Sequence, residues 1–146
     1  MQKPKHILVF RFSAMGDVAM TVPVLLALVN SNKDVKVTVV TRPFFKPIFA
    51  NIPNTSVYLV DFNSKHKGIV GLYALSRELL NLNFDAIADL HNVLRTKLLK
   101  LFLLGQKSAT LDKGRKEKNA LVTGKLFKQL KPTVQRYAEV FKKLGL

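Results

Sequence analysis

The sequence contains no cysteine, which excludes a disulfide framework and any zinc–thiolate site and fits a reducing compartment. Acidic residues are scarce, with 9 Asp and Glu against 24 Lys and Arg, a formal net charge of +15 over 146 residues. Glycine (7) and proline (6) are ordinary in number and unclustered, which excludes collagen-like and low-complexity chains. Long apolar runs are missing too. The longest, from Val22 to Val29, falls far short of the roughly 20 residues a transmembrane helix needs. A second, LLKLFLLG, is interrupted by Lys100. Near the N-terminus the apolar stretch Ile7 to Phe10 is shorter than a signal-peptide core, and no small-residue cleavage site follows. These absences lead to the expectation of a cytoplasmic protein that at most rests on a membrane.

What is present is apolar substance and positive charge together. With 48% apolar residues the chain can build a core, so a disordered basic tail is excluded and one domain is the natural reading. The positive field implies an anionic partner: nucleic acid, a phosphorylated ligand or an anionic membrane surface.

Short β-type runs alternate with helical patterns. HILVFRF (6–12), VKVTVVT (35–41), SVYLVD (56–61) and FDAIADL (84–90) read as strands, and KSATLD (107–112) as a short fifth. Helices are expected near 18–31, from Ile69 on through apolar positions 69, 72, 73, 75, 79 and 80, and over about 93–104. Two more are expected near 118–130 and 133–144, with a short helical piece near 43–50 where Pro43 suits a first turn. In the last helix, Val134, Tyr137, Ala138, Phe141 and Leu144 form one stripe. The fold class that follows is α/β, a Rossmann-like parallel sheet with helices on both faces. In such sheets ligands sit at the carboxyl ends of the strands, so the loops 12–17, 41–43, 61–67, 90–95 and 112–116 carry the chemistry.

The first loop, Arg11-Phe12-Ser13-Ala14-Met15-Gly16-Asp17, is neither a dinucleotide fingerprint nor a Walker loop. Its small residues admit a ligand to the backbone. Asp17 has two readings: an N-cap worth about 1 kcal/mol, or a general base that accepts a proton from a hydroxyl. The fourth loop brings Asp89, His91, Asn92 and Arg95 to the same mouth, where Arg suits bidentate recognition of carboxylate or phosphate. His91 alone is weak evidence, because a histidine in a polar loop is more often simply solvated. Three histidines, scattered acids and no cysteine give no support for a metal, and nothing resembles a nucleophile elbow. Basic clusters at Lys65-His66-Lys67 and at Lys113, Arg115, Lys116 and Lys118 read singly as solvated loops. Their shared edge favours anion binding. Lys125, Lys128 and Lys131 follow at helical spacing and suit anionic lipid or nucleic acid alike.

Five blocks in order, RFSAMGDVAMTVPVLLAL, TRPFFKPIF, FDAIADLHNVLRT, TLDKGRKEK and TVQRYAEVFKKLGL, resemble the N-terminal domain of glycosyltransferase family 9, the ADP-heptose:lipopolysaccharide heptosyltransferases. The resemblance implies a GT-B enzyme, two Rossmann-like domains across a cleft, the N-terminal one receiving the acceptor and the C-terminal one the nucleotide-sugar donor. It makes residues 1–146 the acceptor-binding domain, with the donor-binding domain outside this chain, which alone is then expected to be an inactive fragment. It places the family's general base on Asp17, so that it favours the catalytic reading over the cap. Ser13, Gly16 and Arg11 match the same loop. Acceptor-binding residues fall on Lys65 or Lys67, on Arg115 and on Arg95, holding phosphates or the carboxylate of an inner-core sugar acid. Where many members carry Asp-x-Gln-Gly, this chain has Asp89-Leu90-His91-Asn92, so His91 and Asn92 mark a different acceptor contact.

The implied reaction is inverting transfer of a heptose or related sugar from a donor such as ADP-heptose to an anionic lipopolysaccharide-type glycolipid. It needs no metal and no cofactor beyond that co-substrate. It is placed at the cytoplasmic face of the bacterial inner membrane, with peripheral contact to anionic lipid and no nucleic acid partner. The rivals are a basic nucleic-acid-binding module and a non-catalytic membrane-associated remnant of the fold. Against the first, most of the ten Phe lie in apolar runs rather than among Lys and Arg, where base stacking would need them.

Overall fold

A computed structural model describes residues 3–112 and 133–146. Five parallel strands form one sheet in the order β3-β2-β1-β4-β5: β1 His6–Phe10, β2 Lys36–Thr41, β3 Thr55–Leu59, β4 Ala86–Asp89 and β5 Lys107–Thr110. The helices are α1 Met15–Ala19, α2 Thr21–Ser31, α3 Gly68–Leu80, α4 Leu94–Phe102 and α5 Thr133–Lys143, with a 3-10 segment over Pro43–Phe49. The expected Rossmann-like class is therefore what the chain adopts. The helix expected near 118–130 lies outside the described residues.

Alternation along β1 divides the molecule into two layers. Ile7 and Val9 face α2, the 3-10 segment and α5, whereas Leu8 and Phe10 face α3 and α4. All four are fully buried, as a central parallel strand covered on both faces requires. Trimming Leu8 to Ala is expected to cost about 2–5 kcal/mol.

Three sequence expectations need correction. The helix near 18–31 starts earlier and is divided at Met20. Pro23 has no N–H to give the Ala19 carbonyl, so the ladder lapses there. Within α3 the buried line is Gly71, Leu72, Leu75, Ser76 and Leu79, while Ile69 and Tyr73 lie on the exposed flank. The loop after β3 is not simply solvated: Phe62 and His66 are both buried. Gly71 explains how the loop lies so close to α3, because a Cβ there would sit 2.1 Å from the His66 carbonyl carbon.

Candidate functional site

Because the chain runs from β1 outward to β3 and then returns to β4, the strand order reverses between β1 and β4, and a crevice opens at their carboxyl ends. Arg11, just past β1, is buried there. Its Nη1 donates to the Leu90 carbonyl at 3.0 Å, and its Nη2 pairs with Asp17 Oδ2 at 2.9 Å. One buried guanidinium thus ties the ends of both strands to the first turn of α1. The Asp17 carboxylate remains 45% exposed, and its Oδ1 has no partner among the described residues. The Tyr137 hydroxyl, from α5, donates to the Asp17 backbone carbonyl at 3.1 Å, fixing that turn from behind. Burial raises the Tyr137 phenol above its ordinary pKa, keeping it a donor.

The cap reading of Asp17 is corrected by this geometry. Ala14 occupies the N-cap position and Asp17 sits in the first turn, its side chain turned to Arg11. Ser13 is half-buried, and Gly16 is open, with nothing within 4 Å of where a Cβ would be. A ligand can therefore approach the backbone at Gly16.

On the β4 side Asp89 is fully buried and structural. Its Oδ1 accepts the backbone N–H of His91 at 3.0 Å and of Asn92 at 2.9 Å, and its Oδ2 lies 2.9 Å from Lys100 Nζ. Lys100 also donates to Thr110 Oγ1 at 2.6 Å. Asn92 takes a left-handed backbone (φ 52°), and its amide donates to the Leu111 carbonyl at 3.0 Å, so this residue shapes the loop and ties it to β5. His91 is half-buried rather than solvated. Its Nδ1 accepts the Phe12 N–H at 3.3 Å and its ring packs on Phe12.

A second group flanks this centre. Phe62 meets Phe12 edge-on at 4.9 Å, and the guanidinium carbons of Arg95 and Arg42 lie 4.2 and 5.6 Å from the Phe62 ring centre. A cleft of about 340 Å³ opens here, lined by Arg42, Pro43, Val60, Asp61, Phe62 and Asn63. Among the described residues neither Arg42 nor Arg95 has a carboxylate partner.

The basic run after β3 splits. Lys67 is exposed ahead of α3. Lys65 is held 3.3 Å from Glu78, and buried His66 joins the Asp61 N–H (3.0 Å to Nδ1) to Glu78 (3.0 Å from Nε2). The Tyr58 hydroxyl also donates to Glu78. Burial pushes Glu78 up, but hydrogen bonds from Tyr58, His66 and Lys65 outweigh it, and its pKa falls below the usual value. Burial, together with the Glu78 bond and charge, drives Tyr58 up to about 12. His66 and Lys65 thus brace a loop on which Lys65 is exposed but engaged by Glu78, and Lys67 is exposed with no carboxylate partner among the described residues.

Arg115, with Lys113, Lys116, Lys118, Lys125, Lys128 and Lys131, lies outside the described residues. Among the described residues no group of three metal-ligating side chains occurs, and no helix is long and apolar enough to cross a membrane. Phe44 is the one strongly exposed Phe among them, which leaves little platform for base stacking. Arg42, Lys100 and Tyr137 carried no motif signal. Tyr137 meets Asp17 from 120 residues away, whereas Lys100 meets Asp89 and Thr110 on the neighbouring strands.

No protein-family model and no curated protein matches this sequence. Solved structures do match its fold. A glycosyl transferase family 9 protein from Veillonella parvula aligns with TM-score 0.72 and 23% identity, over 97% of this chain and 42% of that one. The E. coli heptosyltransferase WaaC with ADP gives 0.67 and 20%, over 94% and 47%. The E. coli ADP-heptose lps heptosyltransferase II gives 0.64 and 17%, over 93% and 40%. At these identities the likeness is one of fold. The chain spans less than half the length of each of these proteins.

Proposed function

We propose that this chain is the N-terminal, acceptor-binding half of an inverting glycosyltransferase that moves a heptose or related sugar from a nucleotide-sugar onto an anionic lipopolysaccharide-type glycolipid. The observation that carries the proposal is the Asp17 carboxylate at the switch point of the sheet. Arg11 holds one oxygen at 2.9 Å, and the other has no partner among the described residues. The fold shared with heptosyltransferases supports the same assignment.

In the proposed reaction Asp17 takes the proton of an acceptor hydroxyl. That oxygen bonds to the anomeric carbon of the donor as the bond to the nucleotide diphosphate breaks, with inversion. Buried Arg11 orients the base rather than touching the acceptor, so within the first loop the acceptor meets Gly16 and Ser13. Arg95, Lys67 and, beyond the described residues, Arg115 supply cations for phosphate or carboxylate groups. The donor, such as ADP-heptose, is held by a second domain, and no metal takes part. Work at the cytoplasmic face of the inner membrane, in peripheral contact with anionic lipid, fits an acceptor anchored there.

Titration calorimetry on the 146-residue chain tests the division of labour. A soluble phosphorylated inner-core saccharide is expected to bind, and binding to weaken in Arg95→Ala. ADP is expected not to bind. Tight ADP binding without saccharide binding would reverse the assignment of the two halves. Sequence-dependent oligonucleotide binding at physiological salt would replace it with a nucleic-acid function.

A further inference from the structure

Helices α3 and α4 cover one face of the sheet, and their outer flanks depart from ordinary amphipathic design. A surface helix normally turns charged and polar residues to water. Here Ile69 is 64% and Val70 83% exposed on α3, and Leu94 is 73% and Leu101 54% exposed on α4. On α3, Ile69, Val70, Tyr73 and Arg77 share one flank; on α4, Leu94, Lys97 and Leu101 do. The two flanks adjoin. The Tyr73 ring meets Phe102 edge-on at 5.5 Å, and Arg77 Nη2 donates to the Phe102 carbonyl at 3.0 Å.

The charge around these apolar residues has one sign. Exposed Lys67, Arg77, Arg95 and Lys97 surround them. The only carboxylate on either helix is Glu78, which is half-buried and engaged by Tyr58, His66 and Lys65. Both helices begin at the carboxyl edge of the sheet, the edge that holds Asp17, so the face borders the mouth of the site. Singly exposed aliphatics are common, but neighbouring ones ringed by cations that have no carboxylate partner among the described residues are the composition of an interfacial surface.

From this we infer that the outer face of α3 and α4 seats on an anionic lipid bilayer, with Val70, Ile69 and Leu94 entering the headgroup region and Arg77 and Lys97 lying against lipid phosphates. The charge complementarity selects an anionic bilayer over a second copy of this chain, since among the described residues nothing acidic and free on α3 or α4 would match that copy's basic rim. The seat brings the site mouth to the surface that carries a lipid-anchored acceptor. It rests on the acceptor-binding reading, yet it is tested without acceptor or donor, so failure here and failure of sugar transfer are separate results.

The test is cosedimentation of the 146-residue chain with vesicles of phosphatidylethanolamine and phosphatidylglycerol, and with pure phosphatidylcholine, at low and physiological salt. Expected is pelleting with the anionic vesicles only. A Val70→Asp/Leu94→Asp variant, changed at two well-exposed positions and checked for an unaltered melting curve, is expected to need about tenfold more lipid for half-binding. Val70→Trp, adding interfacial surface at the same place, is expected to tighten binding. The inference is overturned if the double Asp variant pellets like the parent, which would put the membrane contact elsewhere in the chain, or if the parent stays in the supernatant. It is equally overturned if sedimentation velocity shows a dimer that the double variant dissolves.

Discussion

Replacing Arg11 separates what holds the site together from what performs its chemistry. Arg11→Leu keeps apolar bulk in a side chain that is 9% exposed but removes two interactions. The first is the donor to the Leu90 carbonyl; a hydrogen bond from a charged group to a buried partner contributes about 1.5–3 kcal/mol. The second is the pair with Asp17, whose 45% exposure limits it to about 0.2–1 kcal/mol. The expected loss is therefore about 2–4 kcal/mol, a fall in Tm of about 6–12 °C for a domain of this size. Asp17→Asn loses only the smaller part and is expected to lower Tm by less than about 3 °C. A double-mutant cycle by urea denaturation then reads the Arg11–Asp17 coupling directly, with about 0.5 kcal/mol expected. Arg11→Lys keeps the charge without the fork, so it is expected to recover only part of the loss. If Arg11→Leu melts with the parent, the guanidinium does not bridge β1, β4 and α1, and the account of how Asp17 is positioned is wrong.

Other outcomes follow from the same contacts. Asp89→Ala strips acceptors from two backbone N–H groups and leaves Lys100 without its ion-pair partner, so chemical denaturation is expected to show a loss of about 3–5 kcal/mol. Gly71→Ala forces a carbon into the His66 backbone and is expected to loosen the 61–67 loop, visible as faster amide exchange there than in β1. Gly16→Ala meets open space and is expected to leave Tm within about 2 °C while weakening saccharide binding. Glu78 has a depressed pKa in the folded state, so it contributes stability at neutral pH that is lost as pH falls through that value; Glu78→Gln is expected to remove this part of the acid limb of a Tm–pH profile. For Tyr58, raised to about 12, the sign is opposite, and stability falls as pH rises past its ordinary value near 10.0.

The fold was legible where pattern is local. The buried run of β1, the alternation of strands with helices and the small-residue loop ahead of Asp17 all speak through neighbouring residues. What stayed hidden depends on partners distant in the chain. Arg11 reads as an acceptor contact of the first loop, but nothing local shows that Leu90 supplies the carbonyl to which its buried guanidinium donates. His66 among Lys, Asn and Ser reads as solvated, yet Glu78 on the next helix draws it inside. Asn92 reads as a polar ligand contact, yet its left-handed backbone and bond to Leu111 give it a shaping role. Pro23 announced the division of the first helix and marks the one boundary that closer attention to the sequence would have placed.

The central claim, that Asp17 is the general base of an acceptor-binding half, is tested most directly by sugar transfer in a protein carrying both halves, comparing parent and Asp17→Asn under saturating donor and acceptor. The account predicts a fall in kcat by a factor of about 10² or more with Tm nearly unchanged. Unchanged kcat in a variant that melts well below the parent would contradict it, leaving Asp17 a structural partner of Arg11 and nothing more.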